Sequence, residues 1–164
     1  MEQKYIYSFS QIEDRVKALH ETNTEAAAAV ALSWLGLSRD ELKTLRVSDY
    51  NSTMRMLHSA GRVVYVREDL IADMLKAICE EAPEYSMGFF ITDVNSAYEA
   101  AEKQELSPIS VLKMRYFYEK HSAKLSGEPE DRVFLKEILR SVGESEADME
   151  KQFAEYEKDA PEKI

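Results

Sequence analysis

Between Ala26 and Leu35 the chain runs through ten residues with no charge and one polar side chain, Ser33. A helix buries one apolar stripe per neighbour, so a helix that is apolar on nearly every face has to be enclosed by other elements. Thr22 and Glu25 stand at capping-box spacing for its start, and Gly36 can adopt the positive φ that stops it. The rest of the chain must therefore supply a shell of amphipathic elements around one central helix.

That shell is readable from periodicity. A first helix begins at Ser10, which forms a capping-box pattern with Glu13, turns Ile12, Val16 and Leu19 to one side, and ends near His20. Ser38 with Glu41 opens a third helix that points Leu42 and Leu45 inward. The period then changes: Met54–His58 and Arg62–Val66 read as two strands around the turn Ser59-Ala60-Gly61. A helix from Glu68 carries Leu70, Ile71, Met74, Leu75 and Ile78 on one face, with Pro83 marking its end. Gly88–Thr92 is read as a third short strand or a buried loop, and Asp93–Gln104 as loop or short helix. Ser107-Pro108 starts a helix reaching about Leu125, Pro129 starts another with Val133, Phe134, Ile138 and Leu139, and Gly143 stops it. Ser145 opens the last helix, whose Met149, Phe153 and Tyr156 form one stripe.

The expected fold is mostly α within an α/β class, a helical domain with a small β-hairpin or three-stranded sheet. A chain of 164 residues is the size of one domain. With 45% hydrophobic and 32% charged residues it can bury a core, and no apolar run reaches the length of a membrane span. Met1-Glu2-Gln3-Lys4-Tyr5 lacks the start of a secretory signal, so a cytoplasmic location is expected. Cys79 is the sole cysteine and reads as a small core residue. The net charge of −10 opposes non-specific nucleic-acid binding, but it is uneven. Residues 68–106 carry ten Asp/Glu against two Lys/Arg, whereas residues 107–127 carry one against four.

The stretch Leu32-Ser33-Trp34-Leu35-Gly36-Leu37-Ser38-Arg39-Asp40-Glu41-Leu42-Lys43-Thr44-Leu45-Arg46-Val47-Ser48-Asp49-Tyr50-Asn51 resembles the first signature of phage-type integrases, the tyrosine recombinases. Gly36, Leu37, Glu41, Leu42, Leu45, Arg46, Ser48 and Asp49 match in register, and the hairpin and helix that follow fit the same pattern. Leu106–Lys124 and Phe153-Ala154-Glu155-Tyr156 are similar to short integrase-like proteins of Firmicutes phages and mobile elements. The resemblance implies a catalytic-domain-like fold over residues 1–164 without the family's core-binding domain.

The family's chemistry needs a tyrosine nucleophile, two arginines, and a histidine or lysine on the phosphate oxygens. The resemblance places Ser38 at the first arginine, and Arg39 beside it, about 100° away on the helix, is a poor substitute. The strands hold Arg55 and Arg62 but no lysine, and the second cluster keeps only Arg115, in Leu112-Lys113-Met114-Arg115-Tyr116. His20, His58 and His121 read as surface residues. Tyr156 can occupy the nucleophile's place or, as part of its stripe, the core. Arg115 and Tyr156 are thus vestigial candidates and no cleavage is expected. No metal pattern, phosphate loop or Ser/His/Asp arrangement points to a cofactor or another reaction.

Two functions remain. In one, the protein binds DNA without cutting it, through Lys113, Lys120 and Lys124, which lie within about 40° of one another on a helix, with Arg39 and Lys43; the bland alternative for that strip is a solvated face. In the other, acidic surfaces bind a partner protein by standing in for phosphates. The carboxylates Glu144, Glu146, Asp148 and Glu150 read as helix-start charge and solvated face.

Overall fold

The computed structural model describes residues 7–82, 84 and 87–160. The chain forms α1 (Phe9–Thr22), α2 (Thr24–Trp34), α3 (Arg39–Thr44), a 3-10 turn at Val47–Asp49, β1 (Tyr50–Asn51), β2 (Met56–Ser59), β3 (Arg62–Tyr65), α4 (Asp69–Glu81), α5 (Val94–Lys103), α6 (Pro108–Ser126), α7 (Arg132–Val142) and α8 (Glu146–Asp159). The fold is mostly helical with one antiparallel sheet of order β1-β2-β3, as the sequence implies.

α2 is the enclosed helix. Every residue from Ala26 to Trp34 is buried, Ser33 included, whose hydroxyl donates to the Ala29 carbonyl at 2.7 Å. Its alanines let α1, α4, α5 and α6 approach closely, and the resulting core takes in Ile12, Val16, Leu57, Leu75 and Tyr98. A second apolar cluster joins α6, α7 and α8 through Leu112, Phe117, Ile138, Met149, Phe153 and Tyr156. Ile109 packs against both, so α6 links them.

Several boundaries move for local reasons. α1 is capped at Ser8 rather than Ser10, because the Gln11 side chain turns back to accept from the Ser8 N–H at 3.1 Å. α2 is capped by Asn23, which accepts from the Ala26 N–H at 3.0 Å. Glu25 instead reaches the segment before α5, accepting from the Thr92 N–H at 3.0 Å and its hydroxyl at 2.8 Å. The third strand is Tyr50–Asn51; Phe89 only bridges Arg46. Residues 94–103 are a helix, capped by Asp93 on the Ser96 N–H at 3.1 Å. α7 starts at Arg132 because Asp131 caps the Phe134 N–H at 3.1 Å, leaving Pro129 outside it. α4 ends at Glu81, two residues before the Pro83 expected to mark its end; Pro83 itself and Met1–Tyr5 lie outside the described residues. Cys79 is half-buried, its thiol donating to the Val47 carbonyl, and burial first, then Glu80, raises its pKa. No helix is long and apolar enough to cross a membrane among the described residues.

Candidate nucleic-acid interface

Arg115 is the arginine that the resemblance to integrases singled out, and the protein itself occupies it. Its guanidinium lies between the rings of Trp34 and Phe134, 5.2 and 5.0 Å from their centroids. Nη1 donates to the Trp34 carbonyl at 2.7 Å, and Nε donates to Glu119 at 2.8 Å, with Nη2 2.6 Å from the same carboxylate. The α2 end thus gains a cation on its last carbonyls, a favourable place for positive charge. With the side chain 14% exposed and all three nitrogens engaged, a phosphate would have to displace these partners.

Ser38 does the structural job of a cap: its hydroxyl accepts from the Glu41 N–H at 3.2 Å, while the Glu41 carboxylate accepts from the Ser38 N–H at 3.1 Å. Glu41 also accepts from Arg62 Nη2 at 2.9 Å and from the Ser59 hydroxyl at 2.7 Å, and Arg62 reaches the Gly36 carbonyl at 3.0 Å. Burial pushes the Glu41 pKa up, but the bonds from Arg62, the Ser38 N–H and Ser59 outweigh it and hold it below the usual value. The hairpin is thereby clamped to α3.

Tyr156 is fully buried against Tyr7, Phe117 and Phe153. Burial, then Tyr7 and Tyr118, raises its pKa far above that of an ordinary phenol. Phe117 follows Arg115 by two residues, about 200° around α6, so Arg115 and Tyr156 address opposite faces of that helix. Of the histidines, His20 and His58 are exposed, but His121 is buried beside the Tyr156 ring, 6.0 Å away, contrary to the surface position expected of it.

The α6 lysines do share a face, and each meets a carboxylate from α8 or from the turn that precedes it. Lys113 pairs with Glu144 at 2.6 Å, Lys120 with Glu150 and, at 3.7 Å, Glu130, and Lys124 with Glu157 at 2.7 Å. Lys120 is only 9% exposed. Burial lowers its pKa, yet the Glu150 bond, Tyr116 and Glu130 more than offset this and raise it. Glu144 and Glu150, read from sequence as solvated, are therefore binding partners of lysines. A periodic lysine strip looks the same in sequence whether water or a helix faces it.

A row of open cations lies on α7, and sequence reasoning passed over it; exposed cations without an ion pair also stand singly elsewhere in the described residues, Arg15, Arg67, Lys76, Lys103 and Lys151 among them. Arg132, Lys136 and Arg140 are all exposed and span about 80° of the helix. Among the described residues no carboxylate forms an ion pair with them; those pairs go to cations such as Arg62, Lys113 and Lys120. The i, i+4, i+8 spacing was the available signal. Arg140 lines a cleft of about 480 Å³ together with Ser38, Arg39, Glu41, Ala60 and Glu137. Arg39 is exposed, lies 4.8 Å over the Tyr98 ring and donates to Asn95. Lys43, exposed one turn on, is 4.0 Å from Asp40. Among the described residues no group of His, Cys, Asp and Glu is arranged to hold a metal ion.

No protein-family model matches the chain, and no curated protein matches it. Among solved structures it is similar to the crystal structure of XerA recombinase, with a TM-score of 0.55 and 13% identity over 95% of this chain. This chain spans 66% of that structure's length. At that identity the likeness carries the fold, which is recombinase-like.

Proposed function

We propose that this protein is a non-catalytic, integrase-like protein of a phage or mobile element that binds duplex DNA in the cytoplasm without cutting it. The reading is carried by the open cation row Arg132, Lys136 and Arg140 on α7, with Arg39 lining the same cleft as Arg140 and Lys43 one turn on from Arg39. Phosphate contacts need such unpaired cations on one surface. Lys113, Lys120 and Lys124 are already paired, Lys113 with Glu144 just before α8 and the other two with Glu150 and Glu157 on it. Absence of cleavage is supported by Ser38 where the resemblance calls for arginine, by the engaged guanidinium of Arg115, and by the buried Tyr156 hydroxyl.

The test is anisotropy of a labelled duplex at low salt and through a salt series. Affinity should fall with a slope near 0.9 per phosphate neutralised, and Arg132→Glu/Lys136→Glu/Arg140→Glu should abolish binding while the fold persists. Binding absent at low salt, or unchanged in the triple variant, overturns the reading. A suicide substrate should give no covalent adduct through Tyr156.

A second reading, an acidic module that occupies a basic site on a partner protein, draws on the exposed carboxylates of α4 and α5, among them Asp73, Glu80, Glu99 and Glu102. Neutralising those four should leave DNA binding intact, and so separates the two readings.

A further inference from the structure

The sheet stops at β3, which has β2 on one side only. Ser59 pairs with Arg62 across the two-residue turn Ala60-Gly61, both of positive φ, so they form the closing hydrogen-bonded pair. Alternation along the strand then turns the N–H and C=O of Val63 and Tyr65 away from β2. A cleft of about 230 Å³ is lined there by Arg62, Val63, Val64 and Tyr65 in succession, and by no residue of β2. A cleft over one face of the sheet would meet alternate residues, so this one follows the free edge. Its opposite wall is α7, through Val133, Phe134 and Glu137.

Apart from α7 across the cleft, this edge carries none of the usual side-chain protection. Proteins guard open edges with prolines, bulges or outward lysines, whereas β3 reads Arg-Val-Val-Tyr and its arginine is turned to Glu41. Val63 is 42% exposed, Tyr65 62% and Val133 74%. They are three of the six large apolar side chains the described residues expose, and all three line this one cleft.

We propose that the β3 edge is a docking site for an extended peptide segment of a partner protein, which adds as a fourth strand between β3 and α7. Only an extended chain presents N–H and C=O groups at the spacing that Val63 and Tyr65 offer. Alternate side chains of that segment would cover Val133 and Tyr65. Among the described residues the charges at the cleft without an ion pair are Asp131, which caps α7, Glu137 on α7 and Arg67 beyond β3, since Arg62 and Arg115 already pair with Glu41 and Glu119. The segment therefore has an apolar centre and a basic residue at its α7 side. α7 stands where a second sheet would have to enter, which favours a lone strand over another copy of this chain. None of Arg132, Lys136 and Arg140 lines the cleft, so the inference stands apart from DNA binding.

The experiment selects binders to the intact protein from a phage-displayed library of random nonapeptides, then measures the enriched peptides in solution. Val63→Pro removes the outward N–H without touching the β2 pairing, and Val133→Asn, polar but uncharged on the far wall, is the variant to use should Val63→Pro lose its fold. The expected result is binding at least ten-fold weaker in either variant, slowed amide exchange at Val63 and Tyr65 on binding, and unchanged affinity for DNA. Enrichment of no peptide, or equal affinity for wild type and variants, overturns the proposal. So does concentration-dependent self-association that Val63→Pro abolishes, which would assign the edge to a second copy.

Discussion

At Gly36 two demands meet on one residue. Its φ of +94° is a conformation that side chains resist, and a Cβ there would lie 2.7 Å from Cε2 of Phe134. The same turn presents its carbonyl to Arg62 and follows the Trp34 carbonyl that Arg115 holds. Gly36→Ala should cost at least about 2 kcal/mol, since backbone strain alone is worth about 1–3 kcal/mol. Adding Phe134→Ala should recover the steric part and not the strain, which a double-mutant cycle in denaturant would measure; a cost below about 0.5 kcal/mol would show that the turn relaxes. Glu41 is the second residue of this kind. Its pKa is held below the value of a free carboxyl, so its stabilising contribution is full above the unfolded pKa and is lost as pH falls through the folded one. Glu41→Gln should cost about 1.5–3 kcal/mol near neutrality, the range for hydrogen bonds to a charged group. Its stability should also fall less steeply than the wild type's between about pH 5 and pH 3, as acid-unfolding curves would report.

Among the elements, α2 shows how far composition alone can reach. Trp34 is 1% exposed, with its indole N–H on Glu68 at 3.2 Å and Arg115 over its ring. Its emission should be blue-shifted and hard to quench, and Trp34→Ala should cost about 3–5 kcal/mol; emission typical of hydrated indole would contradict the enclosed helix. Elements with long apolar stripes, α4 and α8 among them, were legible because several large residues repeat at helical spacing. α5 was not, since its buried face is Val94, Ala97, Tyr98 and Ala101, half of it alanine that carries little periodic signal. Caps were off by a residue or two where serine, threonine and asparagine crowd together, as at Ser8 and Ser10. For the candidate site, the wheel positions of Lys113, Lys120 and Lys124 were readable and their partners were not. Which helix lies opposite is decided by the Met149, Phe153 and Tyr156 stripe docking on Leu112 and Phe117, a tertiary choice that no local pattern states. Lys120 makes this testable by sign: placing a carboxylate there, Lys120→Glu, sets it against Glu130 and Glu150 and should loosen α8 before any effect on DNA is read.

For the whole molecule, charge couples stability to binding in opposite senses. A net charge of −10 repels itself across the surface, with residues 68–106 alone contributing ten carboxylates against two cations. Salt screens such exposed, distant repulsions most, while short, partly buried pairs such as Lys120–Glu150 and Arg62–Glu41 are screened less. Raising salt from about 20 to 200 mM, a range in which the Debye length falls from roughly 20 to 7 Å, should therefore raise the melting temperature. The same change should weaken DNA binding, because each phosphate contact on α7 releases a counterion that salt holds back. Calorimetry and anisotropy on one sample would read both. Stability that falls with salt would mean that the α6–α8 pairs dominate the balance, and an affinity that rises with it would mean that the α7 cations do not meet phosphate.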